Sequence, residues 1–251
     1  MDLAAYIARI GYDGPLAPDA ETLRRLQVAH LLTVPFENLA IHSGEPIVLD
    51  DEALFRKVVE RRRGGFCYEL NGLFAALLRG LGFDVTMLSA GVMGSDGKFG
   101  PEFDHMALLV TLRERWLADV GFGDSFLEPL RLDERGEQRQ GRRAFRIDAA
   151  GDRLVLMWRD EEGKWQAQYR FGLEPHVYAD YAEMCRYHQT SPESPFTRRR
   201  VCSLATADGR VTISDKRLIT TRGENRDERE LADAHAFTAT LRETFGIVLP
   251  G

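Results

Sequence analysis

Cysteine is scarce in this chain of 251 residues: Cys67, Cys185 and Cys202 are the three it has. They cannot all pair and none belongs to a CxxC. That excludes a disulfide-stapled scaffold and a zinc ribbon and fits a reducing compartment. Basic charge is not in excess either, because 33 Lys and Arg stand against 39 Asp and Glu for a net charge of −6. Without a global positive field, neither nucleic acid nor an anionic membrane is expected as a partner. No apolar run approaches the roughly 20 residues that span a bilayer. Met1-Asp2-Leu3-Ala4-Ala5-Tyr6 lacks the basic-then-apolar order of a secretory leader, so a cytoplasmic location is expected. The six histidines, His30, His42, His105, His176, His188 and His235, show no HxxxH or HExxH spacing, and no metal is expected. Gly121-Phe122-Gly123 lacks the third glycine of a dinucleotide fingerprint.

What is present is ordinary globular material, 44% hydrophobic and 29% charged, without repeats or low-complexity stretches. Asp19 is a candidate N-cap for a helix over 21–32, which Thr33-Val34-Pro35 ends. A second helix is predicted from about Asp51 to Glu60. The clearest one carries apolar residues at Leu70, Leu73, Phe74, Leu77, Leu78 and Leu81, the spacing of one buried helical face. Cys67 lies three residues before Leu70, in the first turn and on that same face. Gly64-Gly65 before it permit a sharp entry, and Gly80 and Gly82 close the helix.

After Gly82 the period changes to two. Strands are predicted over 83–88, 105–110, 115–120, 153–158 and 165–170, with turn-rich stretches between them, as in a meander or small barrel. A short helix over 175–188, a linker at 191–195 and two strands at 201–205 and 211–213 follow. A final helix is predicted from about Glu228 to Thr244, with Asp227 as N-cap and Glu230 completing a capping box.

A cysteine in the first turn of a helix sees the positive end of the helix dipole, which favours the thiolate. His105 opens one predicted strand and Asp119 closes the next. A turn centred on Leu112 places the two opposite each other on one face; a two-residue turn at Arg113-Glu114 places them on opposite faces. The residues alone leave this open. On the first alternative Asp119 orients His105 and His105 activates Cys67. The plainer reading makes Cys67 a small core residue, as for Cys185 and Cys202, and His105 a surface group. Asp119 fits that reading less well, since an unpaired carboxylate in Leu117-Ala118-Asp119-Val120 is costly. One residue of Arg61-Arg62-Arg63 is a candidate partner for Glu37, which sits in an apolar context.

Four blocks together resemble the arylamine N-acetyltransferase family: Val34-Pro35-Phe36-Glu37-Asn38-Leu39, the stretch from Arg62 through Gly64-Gly65-Phe66-Cys67 to Asn71, Asp104-His105-Met106, and Asp119-Val120-Gly121-Phe122-Gly123. Ser194-Pro195-Phe196-Thr197 is a further match, and the resemblance covers about residues 1–200. It implies an α+β fold with a cysteine-protease-like core: an N-terminal helical bundle (1–83), a central antiparallel β-barrel (84–190) and a C-terminal α/β lid (191–251). It implies Cys67 as acyl-accepting nucleophile, His105 as base and Asp119 as its orienting partner. Acetyl-CoA is the implied co-substrate, and a small arylamine, hydrazine or N-hydroxyarylamine is the implied acceptor, as in xenobiotic metabolism. Phe36, Phe66, Val92, Phe103, Phe122 and Phe126 are placed around the acceptor, with core packing the competing reading for each. Asp104, Gly123 and Ser125 are placed on the coenzyme side. A monomer or homodimer is expected. Tyr187-His188-Gln189-Thr190-Ser191-Pro192 departs from the form of better-known members. The same triad also serves an amide synthase acting on a carrier-bound polyketide, or a Cys-His-Asp hydrolase or transglutaminase-like enzyme.

Overall fold

The computed structural model describes residues 1–249, so the last two positions of the expected lid lie outside it. Helices dominate up to residue 82. α1 (Leu3–Arg9) and α2 (Ala20–Thr33) start at Asp2 and Asp19, whose carboxylates accept the N–H groups of Ala5 and Thr22. β1 (Phe36–Glu37), α3 (Leu39–Ser43) and α4 (Asp51–Phe55) follow, and α4 runs on as a π turn over Arg56–Glu60. α5 (Cys67–Gly80) is the axis of this part. Its apolar stripe packs with Leu23, Leu26, Leu54 and Val58 in one core.

Eight antiparallel strands come next: β2 (Asp84–Val92), β3 (His105–Thr111), β4 (Arg115–Ala118), β5 (Leu130–Arg131), β6 (Gln138–Gln140), β7 (Arg143–Ala150), β8 (Arg153–Arg159) and β9 (Trp165–Phe171). Their order in space is β5-β4-β3-β2-β9-β8-β7-β6. They curl into a nearly closed barrel around Leu88, Leu117, Phe145, Leu156 and Tyr169. The seam between β5 and β6 is bridged by glutamine side chains rather than by a backbone ladder. Gln138 accepts from Arg131 N–H (2.8 Å) and donates to its carbonyl (3.0 Å). Gln140 does the same for the chain at Leu127 and Glu128. A side-chain amide offers the same donor and acceptor as a peptide group, so the seam is satisfied without an exposed edge.

α6 (Tyr178–Thr190) and α7 (Pro195–Arg198) lead back to the helical side. Ser194, in the expected linker, caps α7, while Tyr181 and Cys185 of α6 join the core of α5. The chain ends in a meander, β10 (Val201–Thr206), β11 (Gly209–Ser214), β12 (Arg217–Arg222) and β13 (Asn225–Glu230), with α8 (Ala234–Phe245) packed on it. β1 adds to this sheet from the far end of the sequence, pairing Phe36 with Ser203 and Glu37 with Cys202.

The last helix is shorter than predicted. Residues 225–230 form β13, and α8 starts at Ala234, capped by Asp233 through Ala236 N–H (2.8 Å) rather than by Asp227. Asn225-Arg226-Asp227-Glu228-Arg229-Glu230 has no apolar position to set a period, and each of its residues is exposed. Its charges suit an outer edge strand, where they discourage pairing with another chain. β7 and β12 were likewise not marked by the alternation. Among the described residues no helix is long and apolar enough to cross a membrane.

Candidate active site

Cys67 is the first residue of α5, and buried ion pairs fix the turn that presents it. Glu69 accepts the N–H of Phe66 (3.1 Å) and the ammonium of Lys57 (2.6 Å). Burial pushes the Glu69 pKa up and Lys57 works against that rise. Arg63 is the member of the arginine run that meets Glu37, at 2.8 Å, and Glu37 also accepts the N–H of Leu39. Gly64 has to be glycine because a Cβ there would lie 1.9 Å from the carbonyl oxygen of Pro35.

The turn between β3 and β4 is centred on Arg113, one residue beyond the midpoint considered above: Leu108 pairs with Ala118 and Thr111 with Arg115. Extended past Ala118, this register sets His105 across from Gly121. His105 and Asp119 therefore share a face, displaced along it by two residues, because the shift is an even one. His105 Nε2 lies 2.7 Å from Asp119 Oδ2, and both side chains are buried. Tyr169 donates to the same oxygen at 3.1 Å, while Oδ1 accepts from Asn71 Nδ2 and Gly121 N–H, each at 2.8 Å. Four donors thus satisfy the buried carboxylate. Asn71 also donates to Met106 C=O (2.6 Å) and accepts from Val120 N–H (2.8 Å). Gln27 accepts the N–H of Asp119 (3.2 Å) and donates to Leu127 C=O (3.1 Å).

Cys67 and His105 line one cleft of about 170 Å³, with Phe36, Val92, Asp104, Gly121, Phe122, His188, Pro195 and Phe196. With Nε2 engaged by Asp119, the second nitrogen of His105, Nδ1, is left for that cleft. Burial pushes the Cys67 thiol well up, against the effect expected from the helix end alone; a backbone hydrogen bond from Met106 lowers it, and the carboxylates of Asp104 and Asp119 add to the rise. A thiolate here needs a compensating charge, and His105 and His188 are the imidazoles that line the cleft.

A sequence model of the N-acetyltransferase family matches residues 19–251. An arylamine N-acetyltransferase of Mycolicibacterium smegmatis is 36% identical over 256 residues, spanning 99% of this chain and 93% of that one. The chain belongs to the arylamine N-acetyltransferase family. The family's enzyme from Escherichia coli strain K12 is also 36% identical, over 96% of this chain and 87% of its own. The arylamine N-acetyltransferase of Mycobacterium marinum superposes with a TM-score of 0.92 at 35% identity, covering 98% of this chain and 93% of that one. A structure of the M. marinum enzyme in complex with CoA superposes with a TM-score of 0.91, at the same identity and coverage.

As a member of the arylamine N-acetyltransferase family the chain is an acyltransferase with that family's α+β fold. Of the six residues expected around an acceptor, Phe36, Val92 and Phe122 line the cleft. Phe66, Phe103 and Phe126 lie outside it. Phe66 is fully buried between Tyr68 and Phe196. Phe103 packs on His176 and Tyr181 with a positive φ of 65°, and its carbonyl accepts the Tyr68 hydroxyl at 2.6 Å. Phe126 sits in the barrel against Phe145. Of the coenzyme-side residues, Asp104 lines the main cleft, whereas Gly123 and Ser125 border a smaller recess with Phe122 and Arg210. Ser125 donates to Gln168 (2.6 Å), and Asp124 is paired with Arg143 (2.7 Å) and Arg210 (3.5 Å). Asn71, Gln27, Tyr169, His188, Pro195 and Phe196 are not among the expected site residues, although Asn71, Pro195 and Phe196 lie in the resembling blocks. Asn71 carried a signal: it is polar, one turn after Cys67, on a helix otherwise apolar toward the core.

Proposed function

We propose that this acyltransferase moves an acetyl group from acetyl-CoA to the nitrogen of an arylamine, hydrazine or N-hydroxyarylamine, or to the N-hydroxy oxygen, through a thioester on Cys67. The observation that carries this reading is Cys67 and His105 in one cleft, with Asp119 2.7 Å behind the imidazole. His105 Nδ1 takes the thiol proton as the sulfur attacks the thioester carbonyl. Since burial disfavours a lone thiolate at Cys67, proton transfer and attack are coupled. The tetrahedral oxyanion is held by N–H groups at the first turn of α5. CoA leaves as its sulfur takes the proton back from the imidazolium. Exchange of one thioester for another is nearly isoenergetic, so the acetyl-enzyme forms without an energy input. The amine then attacks the acetyl carbonyl, His105 takes its proton, and Cys67 departs as the leaving group.

Asp119 keeps His105 in the tautomer that presents a basic Nδ1 and stabilises the imidazolium. Phe36, Phe122 and Phe196 offer aromatic surface for an aryl ring. The recess at Gly123 and Ser125 is the candidate coenzyme side, and CoA as the coenzyme is supported by the relative solved in complex with it. The test is intact-protein mass spectrometry after mixing with acetyl-CoA. One acetyl group on the Cys67 peptide, discharged by an arylamine and not by water, is the expected result. Equal turnover with and without amine would make the chain a hydrolase, and no adduct would shift the donor to longer or carrier-bound acyl groups.

A further inference from the structure

The cleft has a second polar group besides Cys67 and His105. His188 of α6 and Asp104, just before β3, both line it, and His188 Nε2 lies 3.2 Å from Asp104 Oδ1. The rest of the wall is largely apolar: Phe36, Val92, Phe122, Pro195 and Phe196. His188 is held from behind. Its Nδ1 is 3.2 Å from the Ser194 hydroxyl. That hydroxyl donates to the His188 carbonyl (3.3 Å) and accepts the N–H of Phe196 (3.2 Å). A ring proton on Nδ1 makes the ring a donor to Ser194 and Nε2 an acceptor, and a proton on Nε2 makes the contact with Asp104 a donor–acceptor pair. Asp104 is held similarly: its Oδ2 accepts Val92 N–H at 3.2 Å, which leaves Oδ1 for the cleft. Although the His188 side chain is 3% exposed, its Nε2 has no aligned hydrogen-bond partner among the described residues. With the proton on either nitrogen, Asp104 Oδ1 keeps acceptor capacity toward this largely apolar cleft, and a donor on a bound molecule suits it.

We infer that the His188–Asp104 pair determines acceptor specificity by receiving a hydrogen-bond donor on the acceptor molecule, such as a ring hydroxyl or second amino group, while Asp104 repels acceptors that carry a carboxylate. The inference rests on the acetyl-transfer reading and adds to it which substituted arylamines are preferred. An apolar aryl slot alone discriminates little between a hydroxyl and a methoxy group of similar size. A polar pair with a free carboxylate oxygen does so, because the methoxy analogue cannot supply the donor that the hydroxyl supplies.

The test compares 4-aminophenol with 4-methoxyaniline, whose amines are similarly nucleophilic. In the wild-type enzyme kcat/KM is expected to favour 4-aminophenol by about ten-fold, the factor of one hydrogen bond to a charged acceptor. His188→Leu is expected to bring that ratio close to one. A merely structural role would lower both rates and leave the ratio alone. Asp104→Asn, which retains an oxygen for Val92 N–H, is expected to raise kcat/KM for 4-aminobenzoate relative to 4-methoxyaniline. This arm does not depend on the folding of the His188 variant. Equal wild-type rates for the hydroxyl and methoxy amines would overturn the role of the pair and leave acetyl transfer standing. No acetylation of either amine would overturn the transfer reading and the inference with it.

Discussion

Asn71 Nδ2 lies 2.8 Å from Asp119 Oδ1, which ties the helix that presents Cys67 to the strand end that orients His105. The amide is fully buried and also serves Met106 C=O and Val120 N–H. It sets the position of the Asp119 carboxylate relative to Cys67. Asn71→Ala leaves buried groups unpaired, at about 1–3 kcal/mol each. Chemical denaturation should show a loss of that order. Transfer activity should fall further than stability does when measured well inside the native range. Unchanged kcat in a destabilised protein would show that the bond is structural only.

Asp119→Asn keeps the shape and removes the charge. The imidazole then loses the acceptor that fixes its tautomer, and about 10³–10⁴ in rate is expected to go with it. Acetylation of Cys67 by acetyl-CoA, followed in a stopped-flow assay of CoA release, is the readout. A variant within a factor of a few of wild type would mean that Tyr169 and Asn71 hold the ring without the charge.

Gly121 is where strand and helix touch. A Cβ there would lie 2.7 Å from Asn71 Nδ2 and 2.8 Å from the Cα and carbonyl oxygen of Cys67. Two of these contacts are with backbone, which cannot swing aside. Gly121→Ala is therefore expected to cost about 1–3 kcal/mol of stability and to reduce acetylation of Cys67 by moving α5 from the strand end. Thermal unfolding and the acetylation rate check the two parts separately.

His30 makes stability depend on pH. Burial, with Arg9 adding to the effect, pulls its pKa from the usual 6.5 down to about 3, while Nδ1 stays 3.0 Å from the Tyr6 hydroxyl. On acidification the unfolded chain takes up this proton first. The native state therefore loses stability as pH falls from about 6.5 towards 3, by up to about 1.4 kcal/mol per pH unit from this group. Above that window the group adds no slope. Urea denaturation of wild type and His30→Gln at several pH values should show the gap between them narrowing on the acid side. A constant gap would mean that His30 is protonated in the fold.

Legibility in the sequence followed how local each signal was. The apolar stripe of α5 is a periodic signal within one helix, so it also located Cys67 correctly in the first turn. The pairing of His105 with Asp119 depended on one turn residue, and a turn centred on Arg113 rather than Leu112 still kept both on one face. Aromatic residues were harder to assign. Phe126 and Phe122 look alike in sequence, yet one packs against Phe145 inside the barrel and the other lines the cleft. Gln27 and Tyr169 reach Asp119 from distant elements, and spacing carries no trace of such contacts. β13 escaped because an edge strand without an apolar residue has neither period.

The strand β1 has a temporal consequence. Cys67, His105 and Asp119 have all left the ribosome well before β10, the partner that Phe36 and Glu37 need. His188, Pro195 and Phe196 of the cleft wall also emerge late. During synthesis the Cys67 sulfur therefore exists for a time without its enclosure. The chain's last quarter, which contributes none of the three proposed catalytic groups, decides when that sulfur is enclosed and shielded from oxidants.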